Sequence, residues 1–205
     1  MNRRVFTASL AASLALLARP RLARADIAAA SLRDATERVR TLAKAQKLAF
    51  PLAHPSVRIR KKERILELRD GDVVLKTCSI ALGHSPEGPK TIEGDMHTPE
   101  GRYFICYRNE QSQFHLFLGL SYPNAADAEA GRKAGTIDAA TAKRIAAAEK
   151  AGEKPDWYTR LGGAVGIHGG GTGSDWTWGC IALDEADVDE LWAACPEGTP
   201  VEILP

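Results

Sequence analysis

The chain has 205 residues, enough for one domain with a sizeable core and too few for two comfortable ones. Hydrophobic residues make up 44% and charged residues 26%, an ordinary globular composition, and the net charge of +1 offers no basic field to nucleic acid and no polybasic run to a membrane surface. Beyond the N-terminus no apolar run approaches the roughly 20 residues needed to span a bilayer, so an integral membrane protein is not expected.

The N-terminus reads as a targeting segment. Arg3 and Arg4 supply a positive start, Val5 to Ala18 is apolar, and Ala23-Arg24-Ala25 places small residues where an A-x-A cleavage site needs them. A cut after Ala25 is expected. The Arg3-Arg4-Val5-Phe6 order resembles a twin-arginine signal; an ordinary secretory signal is the alternative. Either route takes the protein out of the cytoplasm, to the periplasm or cell envelope.

Leu32, Ala35, Val39 and Leu42 then recur at helical spacing, which predicts a helix over Ser31 to Leu48 before Pro51 and Pro55. From Val57 the pattern changes to strands. Val57 to Ile59, Arg64 to Arg69 and Val73 to Leu82 are short runs, with Asp70-Gly71-Asp72 as a hairpin turn between the last two. A Gly- and Pro-rich loop, His84 to Gly101, precedes strands over Arg102 to Arg108 and Phe114 to Leu120. A helix is predicted over Asp138 to Ala151, closed by Gly152. Strands over Val165 to His168 and Cys180 to Leu183, a helix from Asp184 to Ala194 and a closing strand from Val201 to Leu204 complete the chain. The fold class is therefore mainly β with packed helices (α+β), a sandwich or barrel.

The chemistry concentrates in one stretch. His168 closes an apolar strand and is followed by Gly169, Gly170 and Gly171. Cys180 follows Gly179 and opens another strand, and the loop between is short enough to fold back. A thiol becomes a competent nucleophile when an imidazole takes its proton, and the same imidazole later returns that proton to the leaving group. Of the four cysteines, Cys180 would stay free. Cys78 and Cys106 would either pair or lie buried as small hydrophobes. No C-x-x-C pair points to zinc, His54, His84, His97 and His115 form no metal pattern, and no cofactor is implied.

The stretch His168-Gly169 and Thr177-Trp178-Gly179-Cys180-Ile181 resembles the signature of the L,D-transpeptidase catalytic domain, the YkuD-type family. Gly88-Pro89-Lys90, Gly94-Asp95, Thr98-Pro99-Glu100-Gly101-Arg102-Tyr103, Ser121-Tyr122-Pro123-Asn124, Leu161-Gly162-Gly163 and Gly198-Thr199-Pro200-Val201 look like its other blocks. The resemblance covers roughly Val57 to Pro205. It implies that family's β-rich fold over a catalytic domain at 57–205, after the signal read at residues 1–25 and the helical lead-in at 26–56. It also implies a cysteine enzyme that acts on peptidoglycan stem peptides through a thioester, in cell-wall biogenesis, remodelling and cell shape. By position Cys180 is the nucleophile and His168 the general base. The Gly169 carbonyl orients the imidazole, and backbone N–H groups at Gly179 and Cys180 hold the oxyanion.

Two departures leave the outcome of the thioester open. Trp178 stands where the family has a second His, and the spacer from His168 to Cys180 is short. The readings that remain are a transpeptidase, a murein hydrolase or amidase using the same Cys-His pair, and a catalytically silent wall-binding module. Asp175, Trp176, Thr177 and Trp178 are candidate substrate contacts. Asp175 is also read as a His168 orienter or a loop cap, and Trp176 and Trp178 as packing residues. Lys90 and Arg102 would meet substrate carboxylates or be surface charges, and Asp95 would shape its own turn.

Overall fold

The structure is a computed structural model that describes residues 19–205. The targeting segment expected over residues 1–25 lies, up to residue 18, outside the described residues. Helix α1 spans Arg19–Ala45, longer at its start than the predicted Ser31 to Leu48, and Lys47 in the left-handed region follows its end. Its buried residues Ala35, Val39 and Ala43 recur every four positions, so they line one stripe. The helix packs on α4 (Glu185–Ala194), and Val39 and Ala43 join the main core.

The strands are β1 (Pro55–Arg60), β2 (Ile65–Asp70), β3 (Val73–Ser79), β4 (Gly101–Ser112), β5 (His115–Leu120), β6 (Gly166–His168), β7 (Ile181–Ala182) and β8 (Pro200–Leu204). They form one mixed sheet in the order β3-β2-β1-β8-β4-β5-β6-β7. The predicted hairpin joins β2 to β3, with Gly71 at φ +57° in its turn. Strand β4 is long enough to pair with β8 at its start and β5 at its end, and there the sheet turns. The curl brings the two edges together: Ala81, just beyond β3, exchanges two hydrogen bonds of 2.9 Å with Ala182 of β7. The outcome is an α+β half-barrel, the barrel side of the expectation.

Between β5 and β6 stand α2 (Ala125–Lys133) and α3 (Ala139–Ala151). The second was expected, with Gly152 at φ +69° closing it. The first was not. It is nine residues long with almost no apolar periodicity, and what starts it is a reciprocal cap, Asn124 accepting from the Asp127 amide and Asp127 from the Asn124 amide.

Cys78 on β3 and Cys106 on β4 are separated by β2, β1 and β8, so about 19 Å of sheet lies between them at ~4.8 Å per strand, far beyond the ~7 Å a disulfide spans. All four cysteines are free, and of the two readings of Cys78 and Cys106 the unpaired one stands. Among the described residues no helix is long and apolar enough to cross a membrane.

Candidate active site

Strand alternation sorts the two short motif strands. Val165 and Ile167, and Ile181 and Leu183, point into the core and are at most 3% exposed. Gly166 and His168, and Cys180 and Ala182, therefore share the opposite face. The parallel register sets Ile167 beside Ile181 and His168 beside Ala182, so its continuation sets Gly166 beside Cys180. His168 and Cys180 are thus diagonal neighbours on one face, with a glycine between them. Such neighbours lie about 7–8 Å apart at the backbone, within reach of long side chains. Among the described residues no hydrogen bond joins the two. The thiol instead faces the Ala164 carbonyl, with Sγ 3.7 Å from the oxygen.

His168 is 2% exposed, and its Nδ1 lies 2.6 Å from the Gly169 carbonyl oxygen. That carbonyl accepts only, so Nδ1 carries the proton and Nε2 keeps its lone pair. Burial pulls the imidazole below its usual value, opposed by the Gly169 hydrogen bond. Around Cys180, burial pushes the thiol up to about 11, opposed by the Gly166 amide and the charge of Lys90. The resting pair is therefore neutral thiol and neutral imidazole.

The loop before Cys180 is shaped by Thr177. Its Oγ1 donates to the Cys180 carbonyl at 2.7 Å and accepts from the Gly179 amide at 3.1 Å. Its N–H donates to Leu82 O, and its carbonyl accepts from His84 N. Thr177 is 4% exposed with its hydroxyl engaged on both sides, so that hydroxyl shapes the loop. The Gly179 amide, expected at the oxyanion, is likewise engaged by Thr177, whereas no acceptor meets the Cys180 N–H among the described residues. Gly179 has φ +122°, and a β-carbon there would lie 2.6 Å from the His97 carbonyl oxygen, so only glycine fits before the cysteine.

Asp175 does not reach His168. Its carboxylate takes two hydrogen bonds of 3.1 Å from Arg64 Nε, one of 2.7 Å from Arg64 Nη2 and one of 2.8 Å from the Leu82 amide. It thus ties the loop to the edge beyond β3. Trp176 donates Nε1 to Gly171 O and packs edge-on against His168 at 5.6 Å between ring centres. It forms one wall around the imidazole. Trp178 is 78% exposed beside the cysteine, free to meet a ligand.

Lys90, read as a substrate or surface charge, is buried and bonds Asp95 at 2.8 Å and Ile92 O at 3.0 Å. Asp95 also accepts from the amides of Thr91, Ile92 and His97, which holds the His97 carbonyl against Gly179. Arg102 is a surface residue beside Glu202. Sequence reasoning missed Phe114, whose ring stacks on His168 at 4.9 Å and 27°. A lone aromatic at a predicted strand start carries no local signal for that contact.

Residues 54–203 match the family whose model is described as the L,D-transpeptidase catalytic domain, YkuD. That is most of the chain, and the chain belongs to this family. Solved structures to which the chain is similar include Bdellovibrio bacteriovorus Bd1075, at 18% identity and TM-score 0.48, covering 76% of this chain and 49% of that one. An L,D-transpeptidase from Stackebrandtia nassauensis matches at 10% identity and TM-score 0.46, covering 77% of this chain and 58% of that one. L,D-transpeptidase 1 of Mycobacterium tuberculosis matches at 11% and 0.44, covering 74% and 62%. The chain thus spans about half to three-fifths of the length of these structures. No curated protein sequence matched it.

Proposed function

We propose that the protein is an exported cysteine L,D-transpeptidase of peptidoglycan, with Cys180 as nucleophile and His168 as general base. The observation that carries this reading is the shared face of β6 and β7. There a buried imidazole with its Nδ1 proton engaged by Gly169 O and its Nε2 lone pair unengaged stands diagonally across from a partly exposed thiol. Rotation of the thiol away from Ala164 O would bring the two together; such contacts commonly tighten only with substrate bound.

In the proposed reaction Nε2 takes the Sγ proton and the thiolate attacks the carbonyl carbon of the diamino-acid residue of a stem peptide. The Cys180 N–H, with any share Gly179 can release from Thr177, would hold the oxyanion. Collapse of the tetrahedral adduct breaks the C–N bond. The imidazolium returns its proton to the departing amine, and a thioester on Cys180 remains. An amine of a second stem then displaces the thiol, His168 taking the amine proton and returning it to sulfur. Water in place of the amine gives the hydrolase outcome. The exposed Trp178 favours neither acceptor by its position alone.

Export would remove residues 1–25, leaving the lead-in helix and the catalytic domain in the periplasm or envelope. The test is incubation of the mature protein with tetrapeptide-bearing muropeptides, followed by mass spectrometry of protein and products. A thioester on Cys180 with new cross-linked dimers is expected, and both should vanish in Cys180→Ala. His168→Ala should slow acylation by roughly 10²–10⁴-fold. Shortened stems without dimers would establish the hydrolase instead, and an adduct persisting in Cys180→Ala would remove the nucleophile assignment.

A further inference from the structure

Beside the site lies a buried ionisable cluster that the reaction above does not use. Asp189 of α4 is 1% exposed. One of its carboxylate oxygens lies 2.6 Å from His115 Nε2, and the other accepts from the Ser31 hydroxyl of α1. A carboxylate so deeply buried is retained only when its partners compensate its lost hydration, and here they come from two different elements.

What the cluster holds is the first residue of β5. His115 sits at φ +69°, a region costly for a residue with a β-carbon, and the preceding turn is fixed by the Phe114 amide donating to Ser112 Oγ at 3.1 Å. The Phe114 carbonyl accepts the Gly169 amide at 3.0 Å, and the Phe114 ring lies over His168. The packing leaves no slack. A β-carbon on Gly169 would sit 3.0 Å from Phe114 O, 3.1 Å from His115 Cβ and 3.3 Å from Glu185 Cγ. The peptide whose carbonyl orients His168 Nδ1 is therefore pressed between residues 114–115 and the start of α4.

We infer that Asp189 and His115 are positioning residues for His168. The buried carboxylate fixes His115, and His115 fixes Phe114 and the Gly169 peptide. These in turn set the plane and tautomer of the imidazole. Ser31 completes the clamp, so the lead-in helix is part of the support of the base and not only a tether. This inference rests on the reading of His168 as the general base.

The test compares His115→Gln, Phe114→Leu and Phe114→Tyr in the mature protein, measuring muropeptide turnover, the melting midpoint and the NMR signal of the His168 Nδ1 proton. His115→Gln and Phe114→Leu should lower kcat by on the order of ten- to a hundredfold, the cost of a misplaced base. KM should be unchanged, any fall in the melting midpoint should leave the protein folded at the assay temperature, and the Nδ1 proton signal should shift or broaden. Phe114→Tyr, which keeps the stacked ring, should retain the rate and the signal. Should Phe114→Leu or His115→Gln prove unfolded, Asp189→Asn, which preserves shape, provides the same comparison.

Wild-type kcat with an unmoved signal overturns the inference. So does a loss of rate that follows the melting midpoint alone, or one confined to KM. His168→Ala separates the two levels: full activity there removes the base and the inference with it, whereas an inactive His168→Ala beside normal His115 and Phe114 variants removes only the inference.

Discussion

The cysteine and histidine are each held in the protonation state that a general-base mechanism starts from. With the thiol pushed up to about 11, only about one molecule in ten thousand carries a thiolate at pH 7. Alkylation of Cys180 by iodoacetamide is therefore expected to be slow at neutral pH and to climb about tenfold per pH unit toward 11. A plateau near pH 6–7 would instead reveal a preformed thiolate–imidazolium pair. Turnover should behave differently, since substrate brings the base into play. His168 sits below its usual 6.5, so the neutral imidazole is already dominant there. Activity should hold at pH 6.5 and fall only as more acid conditions protonate Nε2. These two residues stood out as candidates in the sequence, because each closes or opens an apolar run beside glycines. Their support did not. Phe114 packs on His168 and Asp189 bonds His115, contacts between distant segments that no local pattern encodes.

At the level of elements, the loop from Gly169 to Gly179 is short and irregular, so its shape comes from a few polar anchors. Asp175 is the anchor between that loop and the edge beyond β3. Burial raises its pKa, but the Arg64 guanidinium and the Leu82 amide outweigh this and hold the carboxyl below the usual 3.8. Because the folded value is depressed, the anchor contributes fully above the unfolded value and is lost as pH falls through the folded one. Asp175→Ala leaves the buried Leu82 N–H without its acceptor, which should cost about 1–3 kcal/mol and appear as a lower melting midpoint at pH 7. The difference between variant and parent should shrink toward pH 3; a difference independent of pH would assign the loss to packing.

The strands and the last two helices of the chain were legible from alternation and from Gly71 and Gly152, where a turn or cap needs positive φ. Helix α2 was not, since its start depends on side chains of Asn124 and Asp127 folding back on the backbone. The left-handed Arg64 was invisible for the same reason: it is held by Asp175, far along the chain.

The whole molecule depends on a segment that lies outside the residues matched to the family. Helix α1 buries Ala35, Val39 and Ala43 completely, and its Arg38 bonds Glu190, which is 4% exposed. Removal of residues 1–50 would expose the apolar surface that this stripe covers, at a cost of about 3 kcal/mol, and take one partner from each of two buried carboxylates. Against a total of about 5–15 kcal/mol the loss should be plain as a lower urea midpoint. An unchanged midpoint would make the helix a tether. The pairing of Ala81 with Ala182 carries a different consequence. Strand β7 is two residues long, and its neighbours come from opposite ends of the domain, β6 on one side and the chain beyond β3 on the other. Its pairing with β6 is nearly local, but the contact that closes its other side spans about 100 residues of sequence. Ordering so long a loop is slow relative to forming the hairpins, so the cysteine settles into place among the last events of folding. A nascent chain thus displays its hairpins early and its chemistry late, and recovered activity would report completion of the fold.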